Sequence, residues 1–514
     1  MKQMKDFFFH KEDHSHDYEN YRSMAYSVDI PTKGHTPTKE LEEKAKEVFE
    51  WAKKNGALFY TFMAFPQTGG IIEKQETFLD LNYYYKKSLE NKGQASFSFT
   101  TLEKSETDGS SFPSGGLRYT HQARAYTIWD PRSEVFLRKR NKVLYIPSLL
   151  TSHTGEALDD KTLFRKAESV LETKTLELLQ KMGVSSNAVV MALGLEQEFF
   201  VMSKEAYDKR IDIRSTGRAL IGKMPPKHQQ FADHYYSKLP AKVEDILTDI
   251  QKEFLEIGIP CKTRHKEVAP NQFELAPLFE EAGKTTDHNM ILMEILKERF
   301  EDNGLVALFH EKPFANMNGS GKHHNWSLNY IDNAGKLVDL FSVPRDPKKI
   351  DLFRLMILIQ LKAIKDHTKL YLSSVASCGN EKRLGGHEAP PRILSVFLGE
   401  AVSKIIDGGE LDERHNLRED IPNMTYDLLQ EDTDRNRTSP YAFVGNKFEY
   451  RAVGSSQNPS FPMAVIAATL AKVMDSVITE MNNGVSLEAI LKKLTEETRN
   501  VRFDGNGYSP DWPI

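Results

Sequence analysis

The chain has 514 residues, which is too long for one small hydrophobic core and predicts two or more domains. Its composition, 39% hydrophobic and 27% charged, is typical of a globular protein, and the net charge of −5 argues against nucleic acid as a partner. The two cysteines, Cys261 and Cys378, exclude a disulfide framework and predict a reducing, cytoplasmic location.

Neither the start of the chain nor its most apolar segments predict a membrane partner. The stretch MKQMKDFFFHKEDHSHDYEN turns polar after three phenylalanines, so it lacks the apolar run of a secretory signal. LFRLMILIQLKAI is too short to span a bilayer, and FPMAVIAATLAKVMDSVITEM carries Lys472 and Asp475. The second segment therefore predicts a buried or amphipathic helix.

The elements, taken in chain order, predict an α+β fold. Residues 1–39 are polar, and we predict a poorly ordered N-terminal segment. TKELEEKAKEVFEWAKKNG predicts a helix, with Thr38 as a plausible N-cap and Gly56 as its end. Strand-like runs such as ARAYTIWD and KVLYIPSLL follow, so residues 40–155 are predicted to form a first domain. In residues 156–514 long helices alternate with strands, which predicts a larger second domain.

One predicted strand, VVMALGLEQEFFVM, carries two carboxylates inside an apolar run. Side chains alternate faces along a strand, so Glu196 and Glu198 are expected to point to the same side. A lone E-x-E pattern more often marks a solvent-facing strand than a functional site. Further acidic residues elsewhere in the chain make a functional site the favoured interpretation.

Three further stretches contain polar side chains in strand and turn contexts. HKEVAPNQFELAP places Glu267 and Glu274 around a turn, and FANMNGSGKHHNWSLN brings His323 after a glycine-rich turn. NKFEYRAVG sets Glu449 and Arg451 on one strand face. Each acidic residue alone would read as a surface carboxylate, but together they form a candidate site.

Carboxylates joined by one imidazole make an oxygen-rich set, which suits Mg²⁺ or Mn²⁺ and suits zinc badly. Two such ions commonly serve phosphoryl transfer. Arginines in DRNRTSP and FEYR add paired donors for carboxylate or phosphate groups. Residue types alone thus indicate divalent metal, phosphates and carboxylates. A two-metal phosphatase is the best interpretation at this point, although it leaves the arginines unexplained.

The order of these motifs resembles the glutamine synthetases, and most closely their type III branch. E-x-E, H-x-E-V-A-P-x-Q-x-E, N-G-S-G-x-H, R-L-x-x-x-E-A-P, N-R-T-S-P and F-E-x-R follow one another between about residue 40 and the C-terminus. The resemblance implies a small N-terminal β-grasp-like domain and a large catalytic domain with a curved antiparallel sheet and helices. It also implies a further helical extension, so the sequence reads as C-terminally shortened.

The resemblance implies roles for individual residues through their places in the motifs. It implies metal ligands at Glu198, Glu267 and Glu274 for a first ion, and at Glu196, His323 and Glu449 for a second. It implies glutamate contacts at Asn318, Gly319, Arg383 and Arg451, and ATP contacts at Asn325, Ser327 and Lys447. Asp108 and Glu388 would bind ammonium and accept its proton, and Arg437 would stabilise the transferring phosphoryl group.

The activity implied by the resemblance is ATP-dependent ligation of ammonia to L-glutamate through γ-glutamyl phosphate. Its products are L-glutamine, ADP and phosphate, and its cofactors are Mg²⁺ or Mn²⁺, two or more per site. The family shares active sites between subunits, so a homo-oligomer with Asp108 acting across an interface is expected. Two alternatives stay open: a ligase for another amine, and a non-catalytic structural or regulatory protein. The six intact metal ligands favour an enzyme.

Overall fold

The computed structural model describes residues 21–28, 38–66, 70–79, 97–109, 123–222, 227–386, 389–410, 416, 426–431 and 433–509. The chain divides into two compact units. The first unit consists of Met1–Lys166, Lys242–Cys261 and Gly283–Ile295, and the second consists of Ala167–Ala241, Lys262–Ala282 and Leu296–Ile514. The domain limits expected at residues 39/40 and 155/156 stay predictions.

Strands and helices alternate along the described residues. The strands are β1 (Ala25–Tyr26), β2 (Phe59–Met63), β3 (Glu76–Thr77), β4 (Lys104–Asp108), β5 (Arg124–Trp129), β6 (Val135–Arg138), β7 (Val143–Ser152), β8 (Ala188–Ser203), β9 (Cys261–Lys266), β10 (Gln272–Pro277), β11 (Glu280–Glu281), β12 (Leu305–Leu308), β13 (Lys322–Ile331), β14 (Leu337–Asp339), β15 (Val396–Phe397), β16 (Tyr441–Phe443) and β17 (Phe448–Tyr450). The helices are α1 (Thr38–Lys54), α2 (Phe99–Glu103), α3 (Asp160–Lys181), α4 (Lys204–Asp208), α5 (Ile211–Thr216), α6 (Ala241–Glu256), α7 (Ala282–Asp302), α8 (Pro347–Val375), α9 (Asn380–Arg383), α10 (Glu400–Ile406), α11 (Ser460–Asn482) and α12 (Leu487–Thr498), followed by a 3₁₀ turn (Arg499–Val501).

The first unit is built on a mixed sheet with the strand order β1-β6-β7-β2-β3, to which β5 and then β4 are added beside β7. Strands β2 and β7 run parallel, and the other pairs are antiparallel. Ala45, Val48 and Phe49 recur at helical spacing along α1 and share a buried cluster with Phe62 and Ile146 of the sheet. This apolar stripe holds the helix on the sheet.

Two predictions near the start of the chain meet different outcomes. The helix expected after residue 38 is confirmed, and Gly56 follows its end with a φ of +88°, a conformation that glycine adopts without strain. Residues 21–28 lie within the segment predicted to be poorly ordered, and here the structure differs. Ala25–Tyr26 pairs with β6, and Met24 is buried, so backbone pairing and apolar burial order this stretch.

The second unit is centred on the sixteen-residue strand β8, whose neighbours β10, β11, β12 and β13 are all antiparallel to it. The sheet order is β15-β16-β17-β13-β8-β10-β9, in which β15 and β16 are a parallel pair. On the helical side, the Tyr371 hydroxyl of α8 lies 3.0 Å from the Thr469 hydroxyl of α11. The long central strand is what positions the site described below.

Helix α11 is the apolar segment that carries Lys472 and Asp475. Among the described residues it is the one helix long and apolar enough, by length and composition, to cross a membrane, yet 72% of its most apolar window is buried inside the structure. Core helices have the same composition. The prediction of a buried helix is therefore confirmed.

Candidate active site

The two carboxylates of β8 lie beside polar residues of both neighbouring strands. In the antiparallel register, Glu196 is opposite His323 of β13, and Glu198 is opposite Glu274 of β10. Residues two apart on a strand share a face, and so do residues paired across neighbouring strands. Glu196, Glu198 and Glu274 therefore present their carboxylates on the same surface of the sheet. Next to β13, strand β17 brings Glu449 to the same region.

A first group of metal-ligand atoms joins β8, β13 and β17. Glu196, His323 and Glu449 each offer one donor atom, and these atoms lie within 4.8 Å of one another. His323 Nδ1 lies 2.8 Å from a Glu196 carboxylate oxygen, and the Asn325 amide donates to the other oxygen at 2.9 Å. Arg435 also donates to both Glu196 and Glu449. We call this set the histidine-323 group.

A second group of ligand atoms joins β9 and β10. His265, Glu267 and Glu274 also offer donor atoms within 4.8 Å of one another, and His265 Nε2 lies 2.9 Å from Glu274. We call this set the histidine-265 group. The ring of Tyr235 meets the His265 ring edge-on, with the centroids 5.2 Å apart.

Glu198 is held from the side by backbone and amide donors. The backbone N–H of Gly321 donates to Glu198 Oε2 at 2.7 Å, and the Gln272 amide donates to the same oxygen at 3.4 Å. These contacts fix a buried carboxylate beside both ligand groups.

The acidic groups of the site differ in their affinity for protons. Burial alone would raise the pKa of Glu196, but the hydrogen bond and charge of His323, with the charge of Arg435, bring that pKa below its usual range. Burial, and then the charges of Glu198 and Glu274, raise the pKa of Glu267 to about 9. The histidine-265 group is therefore short of positive charge, which is what a bound cation supplies.

Arginines line the other side of the same space. The buried Arg383 donates to Asn380 Oδ1 at 3.2 Å and to the backbone carbonyl of Arg451 at 3.0 Å. Arg451 is also buried; its Nη1 lies 3.6 Å from Glu449, and its Nε has no hydrogen-bond partner among the described residues. A buried guanidinium with an unused donor favours an anionic ligand.

The glycine-rich turn between α7 and β13 comes close to the arginines. A Cβ added to Gly319 would lie 2.3 Å from the backbone oxygen of Glu311 and 3.0 Å from Cγ of Arg383, so only glycine fits. The Gly319 carbonyl accepts a hydrogen bond from the Gln272 amide at 3.0 Å. Asn318, directly before it, is bound through its backbone and side chain by Gln229.

These features enclose one cavity of about 300 Å³ within the second unit. Its lining contains ten of the residues expected from the sequence together with others from β9, β10 and the loops. The lining residues are Glu196, Glu198, Tyr235, Thr263, His265, Glu267, Glu274, Ala276, Asn318, Gly319, His323, Arg383, Ala389, Arg435, Arg437 and Arg451. Acidic and basic residues thus face each other across a single space.

Comparison with known proteins agrees with this arrangement. Residues 9–167 match the family model for the type III N terminus of glutamine synthetase, and residues 169–394 match that for the glutamine synthetase catalytic domain. A glutamine synthetase of Bacteroides fragilis is 38% identical over 512 residues, which cover 96% of this chain and 68% of the relative. This chain belongs to the glutamine synthetase family.

Within the glutamine synthetase family, the similarity is to the type III branch. The type-3 glutamine synthetase of Dictyostelium discoideum is 41% identical over 478 residues, which cover 90% of this chain. The chain spans 64% of that relative's length. The branch expected from the motifs is therefore confirmed.

A solved structure shows that the fold is that of glutamine synthetases as well. The cryo-EM structure of Plasmodium falciparum glutamine synthetase is 16% identical and superposes with a TM-score of 0.55, covering 87% of this chain and 77% of that one. The predicted α+β class, with an N-terminal domain and a glutamine-synthetase catalytic domain, is confirmed.

Some residues with expected roles lie outside the cavity lining. Asn325 reaches the site through its hydrogen bond to Glu196, whereas Ser327 accepts a hydrogen bond from Asn329 at 3.0 Å. Lys447 contacts Asn446 at 3.3 Å. The ATP contacts expected at these three positions stay predictions.

Of the two residues expected to form the ammonium site, the structure describes Asp108 but not Glu388. Asp108 is the last residue of β4 in the first unit, where its side chain is exposed. Glu388 lies outside the described residues. Their roles stay predictions, and the subunit-mixing experiment in the Discussion tests that of Asp108.

Three residues of the site were not expected from the sequence: His265, Arg435 and Gln229. His265 precedes Glu267 by two positions, and the alternation of side chains along a strand is the signal that could have indicated a shared face. Arg435 stands in the quoted stretch DRNRTSP, in which only Arg437 was given a role. Gln229 left no local signal, because its partner Asn318 is 89 positions away.

Proposed function

We propose that this chain ligates ammonia to L-glutamate with ATP, through γ-glutamyl phosphate, and releases L-glutamine, ADP and phosphate. The observation that carries the proposal is a cavity in which six carboxylate and imidazole side chains face four arginines. Carboxylates suit divalent ions and the phosphates they accompany, and arginines suit carboxylate substrates. Membership of the family supports the same reading.

Both ligand groups fit a divalent cation. Each has three donor atoms within 4.8 Å of one another, and desolvation, with the charges of Glu198 and Glu274, raises the pKa of Glu267 to about 9. In this proposal Glu196, His323 and Glu449 hold one ion. Glu198, Glu267 and Glu274 hold another, with His265 beside them. Bound ions would supply positive charge to phosphate oxygens. Oxygen-rich ligands favour Mg²⁺ or Mn²⁺, as expected from the sequence.

The remaining residues of the cavity bind and orient the organic substrates in this proposal. Asn318, Gly319, Arg383 and Arg451 hold glutamate. The γ-carboxylate of glutamate attacks the γ-phosphorus of ATP in line, and ADP leaves. Arg437, on the cavity lining, stabilises the charge on the transferring phosphoryl group.

The second half of the reaction needs a neutral nitrogen nucleophile. In this proposal Asp108 and Glu388 bind ammonium and accept one proton, and the ammonia formed displaces phosphate from the acyl group. Water would compete for the same acyl phosphate, so the site has to exclude water during this step. Active sites shared between subunits of a homo-oligomer in the cytoplasm are part of the proposal.

The experiment that tests the proposal measures phosphate release by the purified chain with ATP, Mg²⁺ and L-glutamate, with and without ammonium. Release that depends on ammonium, with an equal amount of glutamine, is the expected result. Release without that dependence would indicate hydrolysis of the acyl phosphate by water. No release from a folded chain would contradict the proposal, and replacing ammonium by methylamine or isopropylamine tests the alternative of another amine.

A further inference from the structure

The side chain of Gln229 makes two hydrogen bonds to one residue of the substrate turn. Its Oε1 accepts from the backbone N–H of Asn318 at 3.0 Å, and its Nε2 donates to Asn318 Oδ1 at 3.1 Å. Gln229 comes from the loop between α5 and α6, far from Asn318 in sequence. Asn318 itself is buried and lines the cavity.

This pair of bonds determines which way both amides point. A backbone N–H only donates, so the atom of Gln229 that faces it must be the carbonyl oxygen. The amide nitrogen of Gln229 then faces Asn318, so the Asn318 atom that accepts from it must be Oδ1. The Asn318 amide therefore turns its NH₂ end away from Gln229. The backbone N–H of Asn318 thus determines, through Gln229, which end of the Asn318 side-chain amide faces Gln229.

The loop that carries Gln229 is itself anchored. Asp233, four residues further on, is buried and lies 3.2 Å from the ammonium group of Lys266. Lys266 is almost fully buried and donates to the Ala269 carbonyl at 2.6 Å. The backbone N–H of Asp233 also donates to the His228 carbonyl at 3.0 Å. Gln229 is thus held by a loop tied to strand β9.

A second glutamine holds the next residue of the same turn from the other side. Gln272 of β10 donates to the Gly319 carbonyl at 3.0 Å and to the Ser320 hydroxyl at 3.1 Å. Two amide side chains from different elements therefore fix consecutive residues of the turn. Gln229 contacts the side-chain amide of Asn318, whereas Gln272 contacts Gly319 and Ser320.

We infer that Gln229 is a positioning residue that sets glutamate recognition, because it orients the Asn318 amide so that its NH₂ end serves the amino-acid substrate. The inference rests on the proposed function, since it takes glutamate as the ligand of Asn318. An NH₂ group donates to a carboxylate oxygen, whereas a carbonyl oxygen in its place repels it. Gln229 therefore determines whether the turn attracts or rejects the anionic substrate.

The test compares Gln229→Glu, Gln229→Met and the matched control Gln230→Glu in the full chain. Gln229→Glu keeps the acceptor for the Asn318 backbone but replaces the amide donor by an oxygen, which forces the Asn318 amide to flip. Gln229→Met removes both bonds and leaves the Asn318 amide without the contact to Gln229. Gln230 is exposed, so Gln230→Glu adds the same charge one position away without touching Asn318.

The measurements are L-glutamate binding by isothermal titration calorimetry, the KM values for glutamate and ATP, and the Tm. We expect Gln229→Glu to weaken glutamate binding by about tenfold or more, because a hydrogen bond to a charged group becomes a repulsion. Gln229→Met should weaken it less, by about two- to fivefold. The KM for ATP and the Tm should stay near the wild-type values in all three variants.

The order of the two Gln229 variants separates orientation from simple structural support. A structural role makes Gln229→Met at least as harmful as Gln229→Glu, and it lowers glutamate affinity, ATP affinity and Tm together. Either of these results would overturn the inference, as would Gln229→Glu that binds glutamate like Gln230→Glu. A wild-type chain without glutamate binding or ammonium-dependent phosphate release would instead overturn the proposed function, and the inference with it.

Discussion

The same side chain, a glutamate carboxylate, is found in two opposite electrostatic environments in this cavity. Glu196 is surrounded by His323, Asn325 and Arg435, which together stabilise its charge. Glu267 lies beside other carboxylates, and desolvation, followed by the charges of Glu198 and Glu274, raises its pKa to about 9. In this proposal the histidine-265 group therefore depends more on a bound cation than the histidine-323 group does.

At this scale, Glu267→Gln should remove one metal ligand without disturbing the fold, since the two side chains have nearly the same size. We expect Mn²⁺ affinity to fall by about 100-fold or more, and ammonium-dependent phosphate release to be lost. Metal titration followed by calorimetry measures the first effect, and the phosphate assay measures the second. Glu301→Gln is the matched control, because Glu301 is an exposed partner of Lys204. Full activity of Glu267→Gln would contradict the assignment.

At the scale of elements, the start of helix α3 depends on a single buried carboxylate. Asp159 Oδ1 accepts a hydrogen bond from the Thr162 backbone N–H at 2.8 Å, the pattern of a helix N-cap. Its other oxygen, Oδ2, is buried with no hydrogen-bond partner among the described residues. Burial raises the pKa of Asp159 to about 6.

This pKa shift has a definite sign for stability. The folded chain holds the proton of Asp159 more tightly than the unfolded chain, so its contribution is fully favourable below about pH 4 and is lost as the pH rises to about 6. Asp159→Asn keeps the capping oxygen and cannot ionise. We expect the Tm of Asp159→Asn relative to wild type to increase between pH 4 and pH 7, by an amount equivalent to about 2–3 kcal/mol at most. A difference independent of pH would show that Asp159 is charged in the fold.

The turns of the site also depend on three glycines packed around the buried Glu311. A Cβ would lie 2.0 Å from Glu311 Oε2 at Gly379, 2.5 Å from Oε1 at Gly454, and 2.3 Å from the backbone oxygen at Gly319. Glu311 Oε1 accepts from the Ser456 hydroxyl at 2.6 Å. Glu311 thus contacts the substrate turn through its backbone oxygen, and the start of α9 and the segment after β17 through its carboxylate.

Gly379→Ala should therefore push Glu311 out of its position and disturb Arg383, four residues further on. We expect a loss of stability of about 1–3 kcal/mol from overpacking, with weaker glutamate binding. Thermal unfolding and calorimetry measure the two effects. Gly70→Ala is the control, because nothing lies within 4 Å of a Cβ added there. Unchanged glutamate binding and Tm in Gly379→Ala would show that Glu311 moves without consequence.

Sequence reasoning predicted those features that follow from the regular alternation of side chains along one strand. The shared face of Glu196 and Glu198 follows from strand alternation, and the same alternation turns His324 away from the face of its neighbour His323. His324 is buried between the carbonyls of Lys322 and Pro459, and burial lowers its pKa to about 4. Contacts between distant loops leave no such period, which is why Gln229 was not found.

At the scale of the whole molecule, each of the two compact units is assembled from three separate segments of the chain. The first unit includes Lys242–Cys261 and Gly283–Ile295, which follow residue 166 by many positions. Their attachment depends on buried charges such as Asp287, which lies 2.8 Å from the Ser133 hydroxyl and pairs with Lys161. Pairings over more than a hundred positions cannot be read from composition or local pattern.

The proposal that active sites are shared between subunits predicts complementation between two inactive variants. Asp108→Asn and Glu267→Gln should each lack activity, because each removes a different part of every site. When the two are dissociated, mixed in equal amounts and reassembled, about a quarter of the sites should combine two intact parts and regain activity. The phosphate assay measures the recovery. No recovery from a mixed oligomer would place Asp108 and Glu267 in the same subunit's site, or Asp108 outside it.

The sixteen-residue strand β8 has a consequence for how this gene tolerates change in length. Adding or deleting one residue between positions 188 and 195 would turn Glu196 and Glu198 to the opposite face of the sheet, while Phe199 would turn toward the cavity. Two added residues would restore the parity but shift every cross-strand partner. Insertions and deletions accepted during evolution should therefore accumulate in the loops on either side of this strand and be absent within it.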